Sequence, residues 1–452
     1  MRKHTVLFLQ GPPSPFAREL AAALRARGHA TLRIHFSAGD WLYWRGEACN
    51  YKGPLAEWGT FLETFVKTNG VTDILYYADR FPYHRSAAAV ARRLGIAAYT
   101  YEFGYLRPDW ITFERNGMSA QSHVPADPAL IRRLAAALPE PDLTPRFRHG
   151  FAQEAFNEVL YNLTAFFFAC LYPRYTPDKS CNTLINYLGY IPRLVAGPWN
   201  ERRAERLIET LLARRTQTFL VPLQMQGDYQ LRANSRFAHQ SAFIGEVVRS
   251  FARAAPPEAE LVFKVHPLDN GLEGWPRLIR RLAHAARIEA RVHVIDGGCL
   301  AALIRLARGM VVINSTCGMH ALLAGCPVKA LGIALYDMAG LTHQGALDGF
   351  WRAPEPPDAE LVRAFFRLLA ASVQVKGSFY NREGRAAAIA AMIGRLEHEA
   401  VNGAGAYVSP PPRLRRARAE GIPHCDWEGS PQPAASAAST APGAIAASAE
   451  RD

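Results

Sequence analysis

Acidic residues are in short supply: 40 Asp and Glu stand against 52 Lys and Arg, a formal net charge of +12. Such a balance suits anionic partners, among them nucleotides, anionic sugars, phospholipid headgroups and nucleic acid. Cysteines are few and scattered, at 49, 170, 181, 299, 317, 326 and 425, and no pair has CxxC spacing. That argues against a zinc site and for a reducing compartment. No run of about eighteen uninterrupted apolar residues occurs, so no membrane-spanning helix is expected. GxGxxG is missing from the first βα turn and no GxxxxGKS/T is present, which weakens the common dinucleotide and P-loop NTPase readings. No DxD lies convincingly on a strand end, and no metal is expected. Internal repeats are absent. Interleaved basic and aromatic strand patterns are missing too, so nucleic acid is not the expected anion.

What is there is a large apolar fraction, 49% of 452 residues, enough for a sizeable core and too long for one ordinary domain. The opening MRKHTVLFLQGPP resembles the start of a signal peptide, but its apolar run stops at Gln10 and Gly11, so a first strand is the better reading. Strand 4–9, helix 15–27 and strand 31–36 make a βαβ start. Strand 72–79, helix 84–94 and strand 96–102 extend it, with Asp40, Asp79 and Glu102 near strand exits. Residues 104–119 read as loop. An aromatic helix over 151–172 reads first as core and second as a membrane-facing surface. Helix 199–215 reads as a solvated linker.

A second alternating series starts near 217 and closes with strand 327–331; helices from 357 to 399 complete it or cross back. The expected fold is α/β, two Rossmann-like domains in a GT-B-like arrangement. The expected boundaries are 1–200 for an acceptor-side domain with a helical insertion and 217–356 for a nucleotide-sugar domain. C-terminal helices follow over 357–407, then a disordered Ala-, Pro-, Ser- and Arg-rich tail over 408–452.

Two segments of the second series carry the chemistry. LVFKVHPLD, 261–269, and MVVINSTCGMHALLAGCPVKALG, 310–332, each open on a β-branched apolar strand and deliver polar or cationic residues at its carboxyl end. Open α/β sheets hold their ligands there. His266 donates to a phosphate or ribose oxygen in this reading, Pro267 fixes the exit of the backbone, and Lys264 adds charge. Asn314, Ser315 and Thr316 either cap the next helix or hold phosphate, and Gly318 permits close approach of a ligand or a neighbouring strand. Gln224 and Asp228, four apart across a Gly turn, enter the interdomain cleft or form an ordinary turn. Glu102, at a strand tip, is the leading general base; Asp40, Asp79, Asp109 and Glu114 are its rivals. Together these residues suit a transferase that neutralises a leaving phosphate and deprotonates an acceptor hydroxyl.

FLQGPP (8–13), HFSAGDWLYW (35–44), YYADRFPYH (76–84), YEFGYLRPDWITFERNG (101–117), PLQMQGDYQL (222–231), KVHPLD (264–269) and INSTCGMHAL (313–322) occur in order. In these the chain resembles the capsule polysaccharide biosynthesis and export family of Gram-negative bacteria, over roughly residues 4–395. The branch most similar starts the poly-Kdo linker of lipid-anchored capsules. The resemblance implies a β-Kdo transferase with CMP-Kdo as donor substrate and no bound cofactor. The acceptor it implies is a (lyso)phosphatidylglycerol or related glycerophospholipid. It also implies that Gln224 with Asp228, and His266 with Pro267, line the CMP-sugar site. Glu102 matches the family Glu before Gly-Tyr-x-Arg-Pro-Asp-Trp, with Phe103 inserted before Gly104. The catalytic set is therefore Glu102, Asp228 and His266. Membership of a capsule synthesis and export complex is implied as well, with a place in the cytoplasm or on the cytoplasmic face of the inner membrane. A transferase using another nucleotide sugar, and a non-catalytic export scaffold, are the alternatives.

Overall fold

A computed structural model describes residues 2–148, 150–178, 187 and 189–422. Its strands, numbered in chain order, are β1 (Thr5–Phe8), β2 (Ala30–His35), β3 (Cys49–Asn50), β4 (Asp73–Tyr77), β5 (Ala97–Phe103), β6 (Trp110–Arg115), β7 (Thr218–Pro222), β8 (Glu260–Lys264), β9 (Val292–Ile295), β10 (Ala307–Val312), β11 (Val328–Ala330) and β12 (Gln374–Lys376). They form a seven-stranded sheet, β12-β6-β5-β4-β1-β2-β3, and a five-stranded sheet, β11-β10-β7-β8-β9. The second sheet is parallel throughout. The first is parallel from β3 to β5, and near its edge β6 pairs antiparallel with both β5 and β12.

Helices cover both faces of each sheet, and the strand sequences alternate accordingly. In β7, Phe219 and Val221 pack under Phe243, Val247, Phe251 and Trp351. Leu220 between them faces the other way, into a cluster with Met310, Leu361 and Phe365. In β1, Val6 and Phe8 meet Phe16, Leu20 and Leu24, an i, i+4, i+8 stripe of helix Phe16–Ala26. Leu7 meets Trp58, Leu62 and Val90 on the opposite side. One apolar cluster spans both lobes: Leu106, Val124 and Ile131 of the first pack with Leu361, Phe365 and Leu369 of helix Ala359–Ser372. The result is two Rossmann-like lobes in a GT-B-like arrangement.

The structure corrects the sequence reading in four places. Residues 104–119, read as loop, contain β6, whose residues Trp110–Glu114 are all buried. The Pro and Gly punctuation on either side hid a strand that also carries a carboxylate. Helix 199–215 is longer, Tyr190–Arg214, and it is not merely solvated: Ala204, Ile208 and Leu211 insert into the core under the second sheet. The segment after 356 is not helical throughout, because β12 crosses back to the first sheet between two helices. The tail does not lose order at 408. Helix Leu414–Ala419 follows, and the buried guanidinium of Arg413 donates to the carbonyls of Val124 and Pro125 on one lobe and Leu335 on the other. The rest of the expected tail, from 423, lies outside the described residues, as do Cys181 and Cys425.

Candidate functional site

In the second sheet, β7 has β8 on one side and β10 on the other, so the topological switch point lies at the carboxyl ends of these three strands. Gln224, His266 and Asn314 follow those ends within two residues. Gln224 Nε2 donates to Asn314 Oδ1 over 2.9 Å, and Asn314 N–H returns a bond to Gln224 Oε1 over 3.3 Å. The Asn314 amide also donates to the Gln230 carbonyl over 2.9 Å. Neither side chain caps the helix Cys317–Leu323. Thr316 stands at its N-cap without a side-chain capping bond, and Ser315 Oγ accepts from Cys317 N–H over 3.2 Å. Gly318 answers to a packing need: a Cβ there would lie 2.3 Å from the hydroxyl of Tyr336, which donates to the Ser315 carbonyl.

His266 Nδ1 accepts the Leu268 N–H over 3.1 Å, which puts the imidazole proton on Nε2. Burial, then the charges of Arg107, Arg193 and Lys264, push its pKa down to about 4. The ring is a neutral donor at physiological pH. Its loop is braced from below. Arg193 donates to the backbone carbonyls of His266 and Asp269 and is ion-paired with Asp296, while Asp269 accepts from Trp275 Nε1 over 3.0 Å. Pro267 is exposed on the outside of the same loop. Lys264 is buried, and its ammonium donates to the Gly297 carbonyl.

The first lobe meets this cluster through Glu102. Tyr229 OH and Gln230 Nε2 both donate to Glu102 Oε2, the latter over 3.0 Å, across the junction between lobes. Ser119 Oγ adds a bond to Gln230 Oε1 over 2.8 Å. Asp228 caps the short helix Tyr229–Ala233, accepting from Gln230 N–H over 2.8 Å. Desolvation lifts Glu102 to about 7, against the two hydrogen bonds that favour its charged form. Burial raises Asp228 as well. Glu102, Asp228, Gln224 and Asn314 thus form one bonded network, and His266 faces it through the field of Arg107. That guanidinium lies 4.7 Å from the Phe103 ring and acts electrostatically on His266, Asp228, Cys317 and His320.

Asp40, Asp109 and Glu114 among the rival carboxylates are bonded elsewhere, while Asp79 acts on Glu102 through its charge alone. Asp40 is ion-paired with Arg33 over 3.0 Å, and Asp109 with Lys376 over 3.0 Å. Asp79 accepts from Met118 N–H over 3.1 Å, and Glu114 accepts from Ser122 Oγ inside the core. A cavity of about 190 Å³ opens at the opposite edge of the first sheet, lined by the strand starts around His4, Asp73 and Ala97. No group of three or more His, Cys, Asp or Glu is placed to hold a metal ion among the described residues.

Residues 72–380 match the model of a family described as capsule polysaccharide biosynthesis protein. The chain belongs to this family. The match contains every residue of the network above. Over 381 residues the chain is 32% identical to the capsule polysaccharide export protein KpsS of Escherichia coli, covering 83% of this chain and 96% of that one. Over 393 residues it is 30% identical to the capsule polysaccharide modification protein LipB of Neisseria meningitidis, covering 83% and 92%. Among solved structures it is similar to Thermosulfurimonas dismutans KpsC, a β-Kdo 2,7 transferase, at 15% identity and a TM-score of 0.41, covering 86% of this chain and 98% of that one. The work of this capsule family member is the biosynthesis or modification of capsule polysaccharide.

Sequence reasoning passed over four residues of this capsule-family site: Arg107, Arg193, Tyr229 and Gln230. Three of them stood inside quoted motifs, GYLRPDW and PLQMQGDYQL. Arg193 carried no local signal, because its partners lie more than seventy residues ahead in the chain.

Proposed function

We propose that this chain is a glycosyltransferase that moves Kdo from CMP-Kdo to a (lyso)phosphatidylglycerol-type acceptor while a capsule linker is built. The observation that carries the reading is the bridge from Glu102 to Tyr229 and Gln230. It sets a carboxyl with a pKa of about 7 against a phenol and an amide that directly follow Asp228, and Asp228 and His266 both lie in the field of Arg107. Family motifs supply the identity of the sugar and the nucleotide.

In this reading the acceptor hydroxyl loses its proton to Glu102, and its oxygen attacks the anomeric carbon of the sugar. The bond from that carbon to the phosphate oxygen breaks, and CMP departs with the electron pair. Arg107 and the Nε2–H of His266 meet the negative charge on the leaving phosphate. Gln224, Asn314 and Asp228 hold the donor. Lys264, Ser315 and Thr316 border that seat, with Pro267 and Gly318 shaping its backbone. Incubation of the purified chain with CMP-Kdo and lysophosphatidylglycerol tests the reading by mass spectrometry of the lipid. A lipid heavier by one Kdo is expected. Product with a different nucleotide sugar alone would move the assignment to that donor. Binding to a capsule transporter without turnover would make the chain a scaffold.

A further inference from the structure

Helix Phe151–Phe167 is amphipathic the wrong way round for a helix resting on a globular protein. Its inward side is polar. Tyr161 OH accepts from Gln10 Nε2 and lies 3.3 Å from both Ser37 Oγ and Asp40 Oδ1, at the carboxyl ends of β1 and β2. A Cβ at Gly39 would sit 2.9 Å from the Tyr161 ring, so the helix is pressed closely onto this edge. One turn earlier, Tyr43 OH donates to Asn157 Oδ1 over 2.8 Å.

The outward side is apolar. Phe156 is 66% exposed, Leu160 39% and Phe167 65%, and their i, i+4, i+11 spacing puts them on one stripe. Phe166 within the helix, and Phe168 and Leu171 past its end, continue the exposed surface, and Trp41 is exposed too, its Nε1 donating to Tyr172 OH over 2.9 Å. Exposed cations lie on the segments that adjoin this surface. Lys52 lies 5.9 Å from the Tyr172 ring, and Arg45 and Arg174 are exposed on the adjoining segments, where Glu47 is the exposed carboxylate. Among the described residues no helix is long and apolar enough to cross a membrane.

We propose that this face is a docking surface for an anionic lipid leaflet. The stripe of Phe156, Leu160 and Phe167 enters the headgroup boundary, and Lys52, Arg45 and Arg174 meet lipid phosphates. Surface rings for the acyl boundary with cations at headgroup level are what an interfacial helix requires. The same helix carries Tyr161 to the edge of the first lobe. The inference therefore deepens the lipid-acceptor reading given above, on which it rests for its purpose.

Vesicle sedimentation of the full chain, with no sugar donor present, tests it. Wild type is expected to pellet with phosphatidylglycerol/phosphatidylethanolamine vesicles. The double variant Phe156→Ser/Phe167→Ser is expected to lose roughly tenfold or more in partitioning, with an unchanged melting temperature, since both side chains are exposed. Lys52→Glu and Arg174→Glu should each cost about fivefold on anionic vesicles and little on phosphatidylcholine. Wild type left in the supernatant, or a double variant that pellets like wild type, would overturn the proposal. So would a wild-type dimer that the double variant dissociates without any vesicle binding, because a second copy would then cover the face. Vesicle binding through these residues without Kdo transfer upholds this inference and removes the catalytic one. Transfer to a soluble acceptor without vesicle binding does the reverse.

Discussion

At the strand ends of the first lobe the chain places carboxyls and phenols; at the matching ends of the second it places amides, a neutral imidazole and a bound lysine. Both lobes are helix-covered sheets with a switch point beside one strand, β1 in the first and β7 in the second. Their side chains respond to burial in opposite senses. Desolvation lifts Asp79 to about 6 and Glu102 to about 7, so the first lobe keeps protons ready to exchange near neutrality. Desolvation and neighbouring cations hold His266 at about 4, so the second lobe offers a donor that does not titrate at working pH. One lobe is therefore suited to moving a proton and the other to holding an anion. The single loop Gly104–Asp109 brings a cation, Arg107, from the first lobe to the second.

The sharpest way to break this division is at Glu102. Glu102→Gln should lower turnover by about a thousandfold while leaving donor affinity near that of wild type. A variant that loses donor binding in proportion to turnover would place Glu102 in the anion seat instead. The pH profile sharpens the same point. A base must be ionised, so wild-type kcat/KM should rise with pH through a midpoint near 7. Tyr229→Phe removes a hydrogen bond that favours the carboxylate, and the midpoint should move upward by on the order of one unit. A downward move contradicts the assignment.

A smaller effect is expected on the second lobe. His266→Ala should reduce kcat/KM by about a hundredfold with the fold intact, the size of loss seen when one preorganised donor is removed. Wild-type activity in that variant would remove the nucleotide seat from this loop. Arg107→Gln reports on the same place without turnover. Arg107 is the largest charge opposing protonation of His266, so an NMR titration should find the imidazole pKa above its wild-type value of about 4. An unchanged titration would mean the two lobes do not share one electrostatic field.

The second lobe was more legible in the sequence than the first. Parallel buried strands announce themselves as β-branched runs, and LVFK and MVVI each end on their polar residues as the switch-point rule requires. The first lobe's contribution depends on pairings that span the chain. β6 is hydrogen-bonded to β12 more than 250 residues later, and the turn at Tyr105 rests on Gln374 Oε1. Tyr229 was passed over, since a phenol aimed at a carboxyl on another lobe has no local signature. Asn314 and Gly318 show the same limit. Their short-range options, a cap and a ligand approach, were visible, whereas Gln224 and Tyr336, which claim them, were not.

The mildest prediction concerns a first-lobe carboxyl outside the network. Glu114 is fully buried in β6, with Ser122 as its hydrogen-bond donor, and burial raises its pKa from 4.5 to about 8. Between those two values the unfolded chain has released this proton and the folded chain has kept it. The group therefore removes stability as pH climbs through that window. Glutamine in its place accepts the Ser122 hydroxyl and cannot ionise. Glu114→Gln should melt with wild type at pH 5 and above it at pH 8, by on the order of 2 °C, with turnover unaffected. A melting difference of equal size at both pH values would show that shape rather than charge sets the cost. Lost turnover would bring Glu114 into the same proton-handling group as Glu102, and the contrast between the two lobes would have to be redrawn around β6.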